Sequence, residues 1–99
     1  MQKIVASLEA IANSVDKGLD LSKTQEAIKT TRGLIKDFVD KTNGKSVGAI
    51  HELPLLKELD AELLIWQSKL SVILSEPVGK KGMAKHARHW VERLKMSSQ

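Results

Sequence analysis

The chain contains no cysteine. Disulfide scaffolds, thiolate zinc sites and cysteine nucleophiles are thereby excluded, and the absence leans towards a reducing compartment. Aromatic residues are nearly as scarce, with two Trp, one Phe and no Tyr. Strands favour aromatic side chains, whereas this sequence relies on Leu, Ala, Lys and Glu, which are good helix formers. No apolar run approaches the roughly 18 residues needed to span a bilayer. The longest candidate, Leu63 to Leu74, is broken by Gln67, Ser68, Lys69 and Ser71. Residues 1–15 carry Glu9 among the apolar positions and lack the continuous apolar centre of a signal peptide. The cytoplasm is the expected location.

What is present is 41% apolar and 28% charged residues over 99 positions, a composition that points to one globular domain, residues 1–99. The net charge of +4 is unevenly placed. Residues 1–79 hold ten Lys/Arg against eleven Asp/Glu, a net of −1, and residues 80–99 hold six against one, a net of +5. Such asymmetry speaks of partners rather than of fold.

Apolar residues recur at helical spacing in four stretches. Ile4, Val5, Leu8, Ile11, Ala12 and Val15 form one stripe, extended by Leu19, and Gly18 suits the left-handed position that closes a helix over about 2–17. Asp20 and Ser22 are both candidate caps for a helix over 22–42, and Ser22 with Gln25 has capping-box spacing. Its stripe runs from Ala27 to Val39, and Gly33 beside it suggests a close helix–helix approach. Residues 43–53 read as a connection with one short turn from Ser46. Pro54 then opens a helix over 54–75, with Leu55, Leu56, Leu59, Leu63, Trp66, Leu70, Ile73 and Leu74 in its stripe and Pro77 as its stop. Met83, Ala84, Ala87, Trp90, Val91 and Leu94 mark a fourth helix over 82–96. Trp66 and Trp90 fall inside apolar stripes and are expected as core anchors. The fold class is all-α, a small antiparallel four-helix bundle; the variant is three helices with a basic C-terminal helix protruding.

Two features break ordinary helix design. Ala61, Ile65 and Val72 form a second apolar patch opposite the main stripe of the third helix, with Leu64 between the two. A helix at the edge of a monomeric bundle needs only one apolar face, so this patch is a candidate interface. The other feature is Gly79-Lys80-Lys81-Gly82, read as the entry to the fourth helix. Helix starts favour acidic residues and Ser, Thr, Asn or Asp caps; a start made of glycine and lysine would welcome an anion. Lys80, Lys81, Lys85, Arg88, Arg93 and Lys95 are accordingly the candidate anion- or nucleic-acid-binding residues.

Several motifs fail on context. Gly44-Lys45-Ser46-Val47-Gly48 matches a nucleophile elbow, but no sheet precedes it, and nothing in the spacing brings His86 and Asp60 to the serine. Gly44-Lys45-Ser46 also ends a phosphate-loop pattern, which requires glycine where Val39 stands. His86 and His89 lie three apart, with His51 distant, but Arg88 and Arg93 flank them and would repel a metal cation. No catalytic residue, metal site, cofactor motif or small-molecule substrate is inferred, and an enzyme is not expected.

The expected function is therefore that of a non-catalytic module for protein–protein interaction or assembly, with itself as a homo-oligomer or with a larger protein. The alternative is a nucleic-acid-binding accessory protein using the basic C-terminal helix, although the basic residues circle much of that helix. A third use of that helix, lying on an anionic membrane through Met83, Trp90, Val91 and Leu94, draws on the same side chains as core packing.

Overall fold

The computed structural model describes residues 2–18, 20–42 and 53–97. It contains α1 (Gln2–Asp16), α2 (Leu21–Thr42), α3 (Leu53–Leu74) and α4 (Pro77–Ser97). Leu19, His51, the glycine-rich motifs at 44–48 and the turn expected from Ser46 lie outside the described residues.

Contacts that pair rising with falling residue numbers establish the directions of the helices. Ser7 meets Thr31 and Ser14 meets Thr24, so α1 and α2 are antiparallel. Glu9 pairs with Lys95 and Asp16 with Arg88, which makes α4 antiparallel to α1. Glu58 pairs with Arg93 and Glu62 with His86, which makes α3 antiparallel to α4 and hence to α2. The principal packing runs α1 to α2, α2 to α3, α3 to α4 and α4 back to α1, an up-down-up-down bundle.

The four stripes meet in one core. Ile4, Leu8, Ile11 and Ile28 are buried in it with Leu56, Leu59, Leu63, Leu70, Ala87 and Leu94. Both tryptophans anchor this core, Trp66 at 6% and Trp90 at 4% exposure. α4 buries Met83, Ala84, Ala87, Trp90, Val91 and Leu94, so it is a wall of the bundle and not a protruding arm. Between α1 and α2 the core includes two hydroxyl pairs one heptad apart. Ser14 Oγ and Thr24 Oγ1 lie 3.1 Å apart, Ser14 also donates to the Ile11 carbonyl, and Thr31 donates to the Ala27 carbonyl. Burying hydroxyls is tolerated because each has a partner, and the pairs bond only when the two helices are in this register.

Local chemistry sets the ends. Gly18 takes φ 67°, the left-handed conformation, and its amide donates to the Val15 carbonyl at 3.1 Å, closing α1. Asp20, rather than Ser22, caps α2. Its Oδ1 accepts the Lys23 amide at 3.1 Å and the Ser22 hydroxyl at 3.0 Å, so Ser22 supports the cap instead of forming a capping box with Gln25. The backbone bond from Lys23, the Ser22 hydroxyl and the Lys23 charge hold the Asp20 carboxyl below its ordinary 3.8. A depressed folded-state pKa adds stability above that ordinary value, and the contribution fades as pH falls through the lowered one.

Gly33 does not mark a close helix approach. A Cβ built there meets nothing within 4 Å, and the residue is exposed on α2. Gly33→Ala is therefore expected to stabilise the protein by up to about 1 kcal/mol through helix propensity alone. Thermal unfolding followed by circular dichroism should show a midpoint higher by several degrees; a lower midpoint would mean that this face is packed.

α3 bends at Lys69, whose φ of −114° and ψ of 16° leave the helical range. Neither glycine nor proline stands there. Ser68 Oγ donates to the Leu64 carbonyl at 2.9 Å, a bond to the preceding turn that accompanies helix bending.

The corner between α3 and α4 corrects the expected start of the fourth helix. α4 begins at Pro77, not at 82, and only Ser75 and Glu76 separate it from α3. Proline suits a first helical position because its missing N–H needs no acceptor there. The Lys80 amide donates to the Glu76 carbonyl at 3.1 Å, so Gly79-Lys80-Lys81-Gly82 lies within the helix instead of leading into it. So tight a corner explains Gly79. A Cβ there would lie 3.1 Å from the carbonyl carbon of Ile73 and closer still to its oxygen. Among the described residues no helix is long and apolar enough to cross a membrane.

Candidate interaction surface

Each helix of a closed bundle turns one face outward, and the composition of that face shows whether water is its intended neighbour. The outward residues of α1 are small or polar, Ala6, Ala10 and Asn13. Those of α2 are Glu26, Thr30, Gly33 and Asp37, and those of α4 include Lys85, His89 and Glu92; Leu21, Val78 and Met96 are exposed singly near the ends of these two helices. α3 differs. Ala61, Leu64, Ile65, Ser68 and Val72 all point outward, with Leu64 at 48%, Ile65 at 55% and Val72 at 68% exposure. The structure thus brings Ala61, Ile65 and Val72 onto one exposed row and adds Leu64 and Ser68 to it. Helical spacing places both additional residues on this side of α3, but only the packed bundle establishes that no neighbouring helix covers them.

The six basic residues of α4 separate into two sets. Arg88 pairs with Asp16 of α1, Lys95 Nζ lies 3.7 Å from Glu9, and Arg93 lies 3.6 Å from Glu58 of α3. Arg93 also sits 4.3 Å above the Trp90 ring. These three lie along the seams where α4 meets its neighbours, and their charge is partly neutralised there. Lys80, Lys81 and Lys85 are exposed and have no ion-pair partner among the described residues. The acidic partners Glu9, Asp16 and Glu58 carried no signal in the sequence that singled them out.

The α3–α4 seam holds a cluster that sequence reading did not find. Glu62 accepts the indole N–H of buried Trp90 at 2.8 Å on one oxygen and lies 3.0 Å from His86 Nδ1 with the other. His89 is exposed on the outer side of α4, so the two histidines face different surroundings. Among the described residues no three His, Asp or Glu side chains come together as a metal-binding group.

Across the bundle, Arg32 bridges α2 and α3, donating to Asp60 at 3.0 Å and to Gln67 at 3.1 Å. Beside this bridge runs a groove of about 420 Å³ between α2 and α3, floored by Ile35, Val39 and Leu56 and rimmed by Lys36, Asp40 and Lys57. It has apolar depth and charges of both signs at its rim, with Arg32 and Asp60 already paired to each other. Asp60, which a serine–histidine–acid arrangement would require near His86, is held by Arg32 on the α2 side, while His86 lies on the α4 side with Glu62.

These features define an antiparallel four-helix bundle with one apolar outward face and a partly neutralised basic helix. Comparison with protein-family models, with curated protein sequences and with solved structures gave no match.

Proposed function

We propose that this protein is a non-catalytic interaction module whose docking surface is the outward face of α3. One observation carries the reading: among the described residues, α3 alone groups exposed apolar side chains along one helix face, at Ala61, Leu64, Ile65 and Val72 with Ser68 between the last two, whereas Leu21, Val78 and Met96 stand singly near the ends of α2 and α4. Exposed apolar side chains grouped on one face and bordered by polar ones mark places where water is displaced by a partner. The core is complete without them, since α3 already buries Leu56, Leu59, Leu63, Trp66 and Leu70 on its other side.

Site-specific photo-crosslinking tests the proposal. A benzophenone amino acid replaces Ile65 in one variant and Thr30, on the polar face of α2, in another. Irradiation of cells making each variant should give a discrete adduct from position 65 and none from position 30. Equal adducts from both, or none from 65, would overturn the reading.

The second reading, nucleic-acid binding through α4, rests on the net +5 of residues 80–99 and on Lys80, Lys81 and Lys85, which have no ion-pair partner among the described residues. Pairing of Arg88, Arg93 and Lys95 with acidic residues leaves about three phosphate contacts in place of six, and affinity then falls only about as the third power of salt concentration. Fluorescence anisotropy of labelled single- and double-stranded oligonucleotides decides it. Binding at low salt that Lys80→Glu, Lys81→Glu and Lys85→Glu together abolish would favour this reading, and no binding at low salt would remove it.

A further inference from the structure

The proposed reading leaves the partner open, but the outward row of α3 carries information about it. We propose that the occupant is a second copy of this chain, with the two α3 helices packed antiparallel about a two-fold axis between Ile65 and Ser68; this rests on α3 being the docking face.

The argument starts from the order of side-chain sizes. Ala61, Ile65, Ser68 and Val72 are spaced by four, three and four residues, the repeat that keeps one seam facing a partner helix. Along that seam small and β-branched residues alternate: Ala, Ile, Ser, Val. In an antiparallel pair centred on the row, Ile65 of each copy lies against Ser68 of the other, and Val72 against Ala61. Every layer then joins one bulky and one small side chain, so layer volumes match along the seam. A parallel pair would set Ile65 against Ile65 and Ser68 against Ser68, alternating crowded with empty layers. Ile65 and Ser68 precede the bend at Lys69 in both copies, so the two central layers lie on regular helix.

The flanks agree with this register. On the α4 side, Lys69 of one copy comes beside the Glu62 carboxylate of the other, which also holds Trp90 and His86 within its own copy, twice by symmetry. On the opposite side Leu64, 48% exposed, lies beside Ser71 of the second copy and extends the apolar strip. The axis is a closed two-fold, so the assembly stops at two copies. A row of five outward residues in each copy is far smaller than the roughly 20–30 residues a side of a standard stable interface, so the dimer is a weak one that dissociates on dilution.

The natural lack of cysteine makes the geometry directly measurable. Ala61→Cys and Val72→Cys variants are each exposed single-cysteine proteins, and their masses differ. Mixed in equal amounts at high concentration and oxidised mildly, they should give the 61–72 heterodisulfide. The two homodisulfides should form at least about tenfold more slowly, because identical positions stand ~16 Å apart along the axis, too far for a disulfide. Dominant homodisulfides would overturn the antiparallel register, as would a mixture in random proportions. Sedimentation of the unmodified protein should show mass rising from 10.9 kDa towards twice that value with concentration. The Ile65→Asp/Val72→Asp variant should remain at 10.9 kDa with unchanged helicity. If the unmodified protein stays monomeric at every concentration while position 65 still photo-crosslinks to a different protein, the second copy is ruled out and the docking face stands. If position 65 gives no adduct and the protein stays monomeric, both fail.

Discussion

Gly79→Ala should destabilise this protein by about 1–3 kcal/mol, the range for forcing extra volume into a packed site. Alanine is otherwise the better helix residue by up to about 1 kcal/mol, and Gly79 has no positive φ that would exclude it. The cost comes entirely from space. The added methyl would be driven into the carbonyl of Ile73, which belongs to the backbone at the end of α3 and cannot turn aside as a side chain can. Either the α3–α4 corner opens or the first turn of α4 unwinds. For a domain near 100 residues the midpoint of thermal unfolding should fall by about 5–15 °C. Amide exchange should quicken first at residues 78–82. The matching change at Gly82, where a Cβ meets nothing within 4 Å, should leave the midpoint level or raise it. Equal responses at the two glycines would mean that the corner has room for a methyl group.

Removing the Glu62 carboxylate should be nearly as damaging. In Glu62→Ala the indole N–H of Trp90, a side chain only 4% exposed, loses its acceptor in a place that water reaches poorly. An unsatisfied buried donor costs about 1–3 kcal/mol, against which the exposed His86 contact adds little. Glu62→Gln keeps an oxygen at the same reach and should recover most of the loss. Trp90→Phe in the Glu62→Ala background removes the orphaned donor and should cost less than the two single changes together. That non-additivity, read from denaturant unfolding, is the test. Additive losses would show that Glu62 and Trp90 are not coupled.

These two sites were the least visible in the sequence. Gly79 stood in a Gly-Lys-Lys-Gly stretch that reads as a poor helix start, and Pro77 reads as a helix stop. Both readings follow from local rules, yet Pro77 ends one helix and begins the next, because two residues suffice for the corner when glycine lies opposite the Ile73 carbonyl. Gly33 shows the converse. Its position beside an apolar stripe suggested close packing, but the groove between α2 and α3 passes there. Glu62 is one of three acids on α3, with Glu58 and Asp60, and nothing local sets it apart. Nothing in the spacing of Glu62 and Trp90 along the chain reveals that their helices meet at that level.

The outward row of α3 was legible from the sequence, since facing is a matter of angle around a single helix. Ala61, Ile65 and Val72 fall opposite Leu56, Leu59, Leu63 and Leu70 whatever the rest of the chain does. The basic residues of α4 were legible only as a sum of charge. Which of them sit in seam pairs depends on Glu9, Asp16 and Glu58, which lie on other helices.

By itself, then, the sequence determined four helices, their buried stripes and the surplus apolar face of α3. Each arises from side chains three and four residues apart, which share a helix face before any tertiary contact forms. Only the tertiary structure decided which charges are neutralised, which glycine is sterically required, and that α4 closes the bundle against α1. These depend on distances between residues far apart in the chain, such as Asp16 and Arg88, and a helical period fixes direction around an axis but not which neighbour lies across it.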